Sequence, residues 1–287
     1  MLSLLVCALL LSPFFGVLAA SVSEEQSEAP GIRSLFKSPL NIDKRSPGQL
    51  IKSCTVPGTV ALTFDDGPYY YIYDLVKMLD AAGAKATFFF NGKNNFCIYD
   101  EDNVKRVRFA YNRGHQVASH TWAHMNLTSA TISNDKVHDE MWKLDLALTR
   151  ITGADPAFMR PPYGAYNQTV LNISKDRGQA VVLWDLDSED TSKTPSVQNS
   201  INIYNKKIKE NPLPNGRILT LNHETKRKSS SRIHASFFFD DMFQVMPAVL
   251  QSLKKAGYRM VTVAECLGKR PYRSVKAPEA RTDKWKC

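Results

Sequence analysis

Seven short runs rich in β-branched and aromatic residues recur along the chain, at 60–64, 86–90, 116–119, 158–160, 180–185, 217–221 and 259–263. Segments of helix length separate them. Over 134–152 the apolar residues Val137, Met141, Leu144 and Leu148 fall three or four apart, which places them on one helical face. Strands that alternate with helices pair in parallel, because each crossover carries the chain back to the same end of the sheet. Such a pattern closes either as an open doubly wound sheet or as a barrel. No Gly-rich phosphate loop follows the first strand, which argues against the nucleotide-binding form. The expectation is an α/β chain folded as a distorted (β/α) barrel with about seven parallel strands, one short of the regular eight and so with an irregular wall.

The ends of the chain read differently. Residues 1–20 carry no charged side chain, run apolar from Leu2 to Leu18, and finish in Ala19 and Ala20; Pro13 and Gly16 interrupt them, and the stretch is short for a membrane span. A signal peptide is expected. Residues 21–45 are polar and close on Lys44-Arg45, the pattern of a removable pro-segment or linker. One domain over 46–270 and a polar C-terminal tail over 271–287 complete the expected layout of a secreted, extracellular monomer with no membrane anchor. Sequons at Asn126, Asn167 and Asn172 are candidate glycosylation sites in that setting.

Composition narrows the partners. With 43% hydrophobic and 23% charged residues among 287, disorder throughout is excluded. The net charge of +9 survives loss of residues 1–45, which hold four acids and four bases. A basic surface could hold nucleic acid, but no nucleic-acid motif accompanies it, so an anionic wall or membrane is the expected neighbour. The one tight basic run, Lys226-Arg227-Lys228, reads as a solvated loop. Five cysteines become four when Cys7 leaves with the signal: Cys54, Cys97, Cys266 and Cys287. Three pairings are open to them. Cys54 and Cys266 stand just outside the first and last expected core elements, where a bridge would staple the domain's ends, and Cys97 with Cys287 would follow by elimination.

In a barrel of this kind the chemistry gathers at the carboxyl ends of the strands. There the chain places Asp65 and Asp66, His120 and His124, Arg160, Asp190, and His223. Adjacent carboxylates in Thr63-Phe64-Asp65-Asp66-Gly67-Pro68 point different ways, so one can ligate a metal while the other acts as a base; an Asx-turn closing the strand is the plainer reading of that segment alone. His120 and His124, four apart, lie on one face of a helical turn and can share a metal. With Asp66 they would leave a coordination position open for water, as catalytic zinc sites do. Arg160, before Pro161-Pro162-Tyr163-Gly164, can pair with a carboxylate in the cleft. Each feature alone is weak, and their conjunction carries the reading.

These residues, in this order, resemble the polysaccharide deacetylases, carbohydrate esterase family four, whose domain is also called the NodB-type homology domain. Five motifs carry the resemblance: 63–68, 120–124, 160–164, Asp187-Ser188-Glu189-Asp190, and 221–223. The segments 85–89 and 114–119 add a likeness to fungal chitin deacetylases. The resemblance implies zinc, with cobalt as the alternative, held by Asp66, His120 and His124. It further implies Asp65 as general base oriented by Arg160, an oxyanion donor at the Tyr163 backbone, and His223 as general acid supported by Asp190. Chitin or chitooligosaccharide is the implied substrate. O-acetyl xylan, peptidoglycan, and a non-catalytic wall-binding role are the alternatives. One departure stands out: Thr191 occupies the position of the family's tryptophan, which with Leu221 lines the acetyl pocket, and Trp184 is a candidate to compensate.

Overall fold

The computed structural model describes residues 48–192, 196–224 and 241–287. The expected signal peptide, pro-segment and dibasic pair, Cys7 and the basic run at 226–228 lie outside them. Among the described residues there are twelve strands: β1 Leu50–Ile51, β2 Thr59–Ala61, β3 Thr63–Asp65, β4 Thr87–Phe90, β5 Gln116–Ser119, β6 Ala154–Pro156, β7 Phe158–Met159, β8 Ala180–Val182, β9 Leu186–Asp187, β10 Arg217–His223, β11 Arg259–Val261 and β12 Tyr272–Val275. The same residues form seven α-helices: α1 Ile72–Ala81, α2 Glu101–Asn112, α3 Asn134–Thr152, α4 Gln168–Asp176, α5 Val197–Glu210, α6 Asp241–Lys255 and α7 Val263–Cys266. Each of the seven strand runs seen in the sequence is a strand, the first of them split into β2 and β3 at Leu62.

The main sheet is parallel throughout, in the order β1-β8-β7-β5-β4-β3-β10-β2-β11, with β9 alongside β10. Its end strands β1 and β11 are not hydrogen-bonded to each other. A covalent link stands near both ends instead. The Cys54–Cys266 disulfide joins the segment after β1 to the helix after β11, and the Thr55 and Val56 N–H groups both donate to the Cys266 carbonyl at 2.9 Å. The distorted barrel is therefore stapled where its wall is incomplete.

Side chains along the strands alternate between two cores, as the pleat requires. Phe88 and Phe90 of β4 point outward among α1 and α2 residues such as Leu75 and Val107, and both stack with their neighbours within 6 Å (Phe64–Phe88 5.5 Å, Phe88–Phe90 5.8 Å). Phe89 points inward with Ala61, Ala118, Val182, Leu219 and Val261. Two of those five positions, Ala61 and Ala118, are alanine. Outside, α3 buries the expected face, begins at Ser133, whose hydroxyl accepts from the Lys136 N–H, and ends at Gly153 with φ 79°.

The stretch from residue 271, read from sequence as a tail, packs onto the domain. β12 pairs antiparallel with β6, Arg273 reaches Asp145 of α3 at 3.0 Å, Trp285 is buried against Tyr99, and Cys287 is bonded to Cys97. Its polar composition hides this, because one antiparallel strand partner, one buried indole and one disulfide suffice to hold it. Among the described residues no helix is long and apolar enough to cross a membrane.

Candidate metal and catalytic site

Register brings the site together. His223 of β10 stands opposite Asp65 of β3, Asp65 opposite Phe89, Phe90 opposite Ser119, and Ser119 opposite Met159. The residues at or just past these positions, Asp65, Asp66, His120, Arg160 and His223, therefore share one level at the carboxyl end of the sheet. Among the described residues five other than glycine take positive φ: Asp66 at 73°, Thr121 at 71°, His124 at 53°, Tyr163 at 62° and Glu189 at 58°. All five fall in or beside the five motifs, where strained backbone holds side chains in otherwise disfavoured directions.

Arg160 is the anchor. Fully buried, it spends all five N–H donors: Nη1 on Asp65 Oδ1 at 2.9 Å and Thr63 Oγ1 at 2.6 Å, Nη2 on the carbonyls of Leu183 at 2.9 Å and Thr220 at 3.4 Å, and Nε on the Val182 carbonyl at 3.3 Å. Its guanidinium lies over the Phe89 ring at 4.3 Å. Asp65 is thereby held in place with its other oxygen, Oδ2, 3.7 Å from His120 Nε2. Burial pushes the Asp65 carboxyl above its usual range, and Arg160, followed by His223, pulls it back without cancelling the effect.

Asp66, His120 and His124 converge. Their ligand atoms lie within 4.8 Å of one another, with Asp66 Oδ1 at 3.6 Å from His120 Nε2 and 3.3 Å from His124 Nε2. Around a tetrahedral zinc with ligand bonds of about 2.0–2.1 Å, neighbouring ligand atoms stand about 3.3 Å apart, so the spacing suits one ion. Two further observations fit. Asp66 Oδ1 is buried without a hydrogen-bond partner, a costly state for a carboxylate oxygen unless a cation faces it. His120 Nδ1 sits 2.8 Å from the Arg160 carbonyl, which can only accept, so Nδ1 carries the hydrogen and Nε2 presents its lone pair to Asp66. Burial lowers the His120 pKa to about 3, keeping the ring neutral as a ligand must be.

His223 has the opposite electrostatics. Burial alone would discharge it, but Asp190 accepts from both its Nδ1, at 2.9 Å, and its backbone N–H, at 2.6 Å, and together with Asp65 and Asp66 raises the ring's pKa to about 9. One ring is thus kept neutral and the other charged within a single cleft.

The remaining expected residues are placed as follows. Tyr163 is 70% exposed, its ring 4.8 Å from that of His124. Leu221 is buried and pairs in register with Asp187. Thr191 is exposed. Trp184 lies over Arg160 at 5.5 Å and against Gly164, where an added Cβ would stand 2.8 Å from the indole. Asn126, Asn167 and Asn172 are all exposed, and each amide oxygen accepts a local hydrogen bond.

Residues without an expected role support the site. The Asn91 side chain donates to the carbonyls of His120 and Thr121, and Glu140 of α3 accepts from the Ala123 N–H at 2.7 Å, which fixes the loop bearing both histidines. Glu224 is buried and accepts from the Tyr69 N–H; its carboxylate approaches Gly67 so closely that a Cβ there would overlap it. Asn91 and Glu224 each directly follow a strand-end residue, so the strand-end rule would have found them; Glu140 lies mid-helix and carries no such signal.

Comparison with known proteins follows the same lines. The polysaccharide deacetylase family model matches residues 52–182. A probable peptidoglycan-N-acetylglucosamine deacetylase of Arthroderma benhamiae is 38% identical over 224 residues, 77% of this chain but 46% of that protein, so the chain spans about half of its length. A chitin deacetylase of Pestalotiopsis sp is 33% identical over 265 residues, covering 90% of this chain and 77% of that one. Among solved structures, the chitin deacetylase of Colletotrichum lindemuthianum superposes with a TM-score of 0.69 at 30% identity, covering 80% of this chain and 96% of that one.

Proposed function

The chain belongs to the polysaccharide deacetylase family, and from that premise we propose that it is a secreted chitin deacetylase that hydrolyses N-acetyl groups of chitin or its oligomers to acetate and glucosamine units. The observation that carries the proposal is the partnerless, buried Asp66 Oδ1 facing two imidazoles, with Asp65 clamped beside them. Asp66, His120 and His124 would hold a divalent ion, zinc first among candidates. When bound, such an ion supplies Lewis acidity that makes water a competent nucleophile near neutral pH.

The protein groups do the rest. Asp65, fixed by Arg160, accepts a proton from the attacking water as its oxygen bonds to the acetyl carbon. The Tyr163 N–H donates to the oxygen on which negative charge grows. His223 gives its proton to the nitrogen as the carbon–nitrogen bond breaks, and a free amine and acetate leave. Leu221 and Trp184 wall the acetyl methyl, with Trp184 serving in place of the tryptophan that Thr191 replaces. The secreted form begins at Ser46, and the sequons carry glycans.

Two measurements follow. Acetate release from N-acetylglucosamine hexamer should exceed release from acetylated xylan at equal acetyl concentration; a clear preference for xylan would make the chain an O-acetyl esterase, and a preference for peptidoglycan would move the substrate there. The pH profile tests the acid. A histidine whose pKa is raised to about 9 stays charged below that pH, so kcat should hold to pH 8 and fall as pH rises through 9. Asp190→Asn removes the main opposing charge, leaves burial dominant, and should move the alkaline limb down by more than about one unit. An unmoved limb would remove His223 from the acid role.

A further inference from the structure

Asp66, His120 and His124 stand on two loops, past the ends of β3 and β5, where the sheet's own hydrogen bonds no longer fix the backbone. A third loop, residues 91–97 between β4 and α2, is bonded to both. Toward Asp66, the Asn91 N–H donates to the Gly67 carbonyl at 2.8 Å and the Asn95 side chain to the Asp66 carbonyl at 3.3 Å. Toward the histidines, the Asn91 side chain donates to the carbonyls of His120 at 2.5 Å and Thr121 at 3.0 Å. The N–H groups of Gly92 and Lys93 both donate to the Trp122 carbonyl, at 2.9 Å and 2.6 Å. Trp122, between the two histidines in sequence, lies over Gly92 so closely that a Cβ there would overlap the indole. The distance from Asp66 to the imidazoles is thus bridged by one loop.

That bridging loop is in turn held by the segment from residue 271 onward. Lys93 and Cys97 face each other as an antiparallel bridge, and the Ile98 N–H donates to the Gly92 carbonyl at 2.8 Å, so whatever fixes Cys97 fixes Gly92 and Lys93 as well. Cys97 is bonded to Cys287. Trp285, 5% exposed, tilts against Tyr99 at 5.4 Å, and Tyr99 stands 6.2 Å from Trp122. One covalent path and one aromatic path therefore run from this segment to the loop that spans the two ligand-bearing loops. Resting on the metal site proposed above, we infer that Trp285 and Cys287 are positioning residues that set how tightly Asp66, His120 and His124 hold their ion. Without them the three loops sample other arrangements, and apparent affinity falls by the fraction of molecules in which the ligands are already together.

Zinc titration of the metal-free full chain reads this without turnover, at a temperature where near-ultraviolet circular dichroism shows each variant folded. Trp285→Ala, and Cys97→Ser combined with Cys287→Ser, should each weaken zinc binding by about tenfold, the lower end of what partners behind a metal's ligands are worth, while Trp285→Phe, which keeps a ring, stays within about threefold. Cys54→Ser combined with Cys266→Ser removes the disulfide at the ends of the sheet instead. That pair should lower stability and leave zinc affinity as in wild type. Unchanged affinity in the Trp285→Ala and Cys97/Cys287 variants, or an equal loss in the Cys54/Cys266 variant, would overturn the inference and leave the segment a role in stability alone. Wild type that binds no zinc would instead refute the metal site itself and this inference with it.

Discussion

Asp65→Asn should lower kcat by about a hundredfold to ten-thousandfold while the protein stays folded, because in the proposed mechanism it deletes a proton acceptor and almost nothing else. The side chain is buried, and asparagine keeps its volume and an oxygen that can accept from Arg160 Nη1. Four of the five guanidinium bonds, to Thr63, Val182, Leu183 and Thr220, do not involve Asp65 at all. Asp66, His120 and His124 are unchanged, so zinc affinity should stay within a few-fold of wild type. Acetate-release kinetics with a zinc titration separates the two effects. Loss of metal binding along with activity would mean that Asp65 is a ligand rather than a base.

Arg160→Met is expected to damage both function and fold, and so differs in kind. Without the guanidinium, the Asp65 carboxylate remains buried with its nearest cation gone, and the carbonyls of Val182, Leu183 and Thr220 lose a shared donor. Breaking a buried pair from one side costs about 3–5 kcal/mol. With burial already raising the Asp65 pKa and Arg160 the first influence opposing it, the base should also need a higher pH to ionise. The residual activity should therefore rise with pH over a range where wild type is flat. Denaturant unfolding and a pH–rate profile report the two parts; a variant as stable as wild type would show that the clamp is not a structural anchor.

What the sequence could disclose divides along physical lines. Parallel strands buried on both faces read as apolar runs, so β4 and the middle of β10 are legible, and the face of α3 follows from its spacing. Strands of two or three residues, such as β1, β6 and β9, carry too few positions for any period to show. The polar residues at strand ends were legible as a set, since a carboxyl-end location and a residue type together select Asp65, His120, Arg160 and His223. Their electrostatics were not: whether an imidazole is neutral like His120 or charged like His223 depends on burial and on one carbonyl or one carboxylate brought in by another strand. The same holds for Trp184, whose contact with Gly164 and Arg160 exists only once separate strands align.

The most direct measurement is the rate of acetate release from N-acetylglucosamine hexamer as a function of metal bound per chain, starting from chelated protein and adding zinc back. Activity absent in the metal-free protein and rising in proportion to zinc up to one ion per chain is the expected result. Turnover that is undiminished in protein shown to hold no metal would contradict a site built from Asp66, His120 and His124.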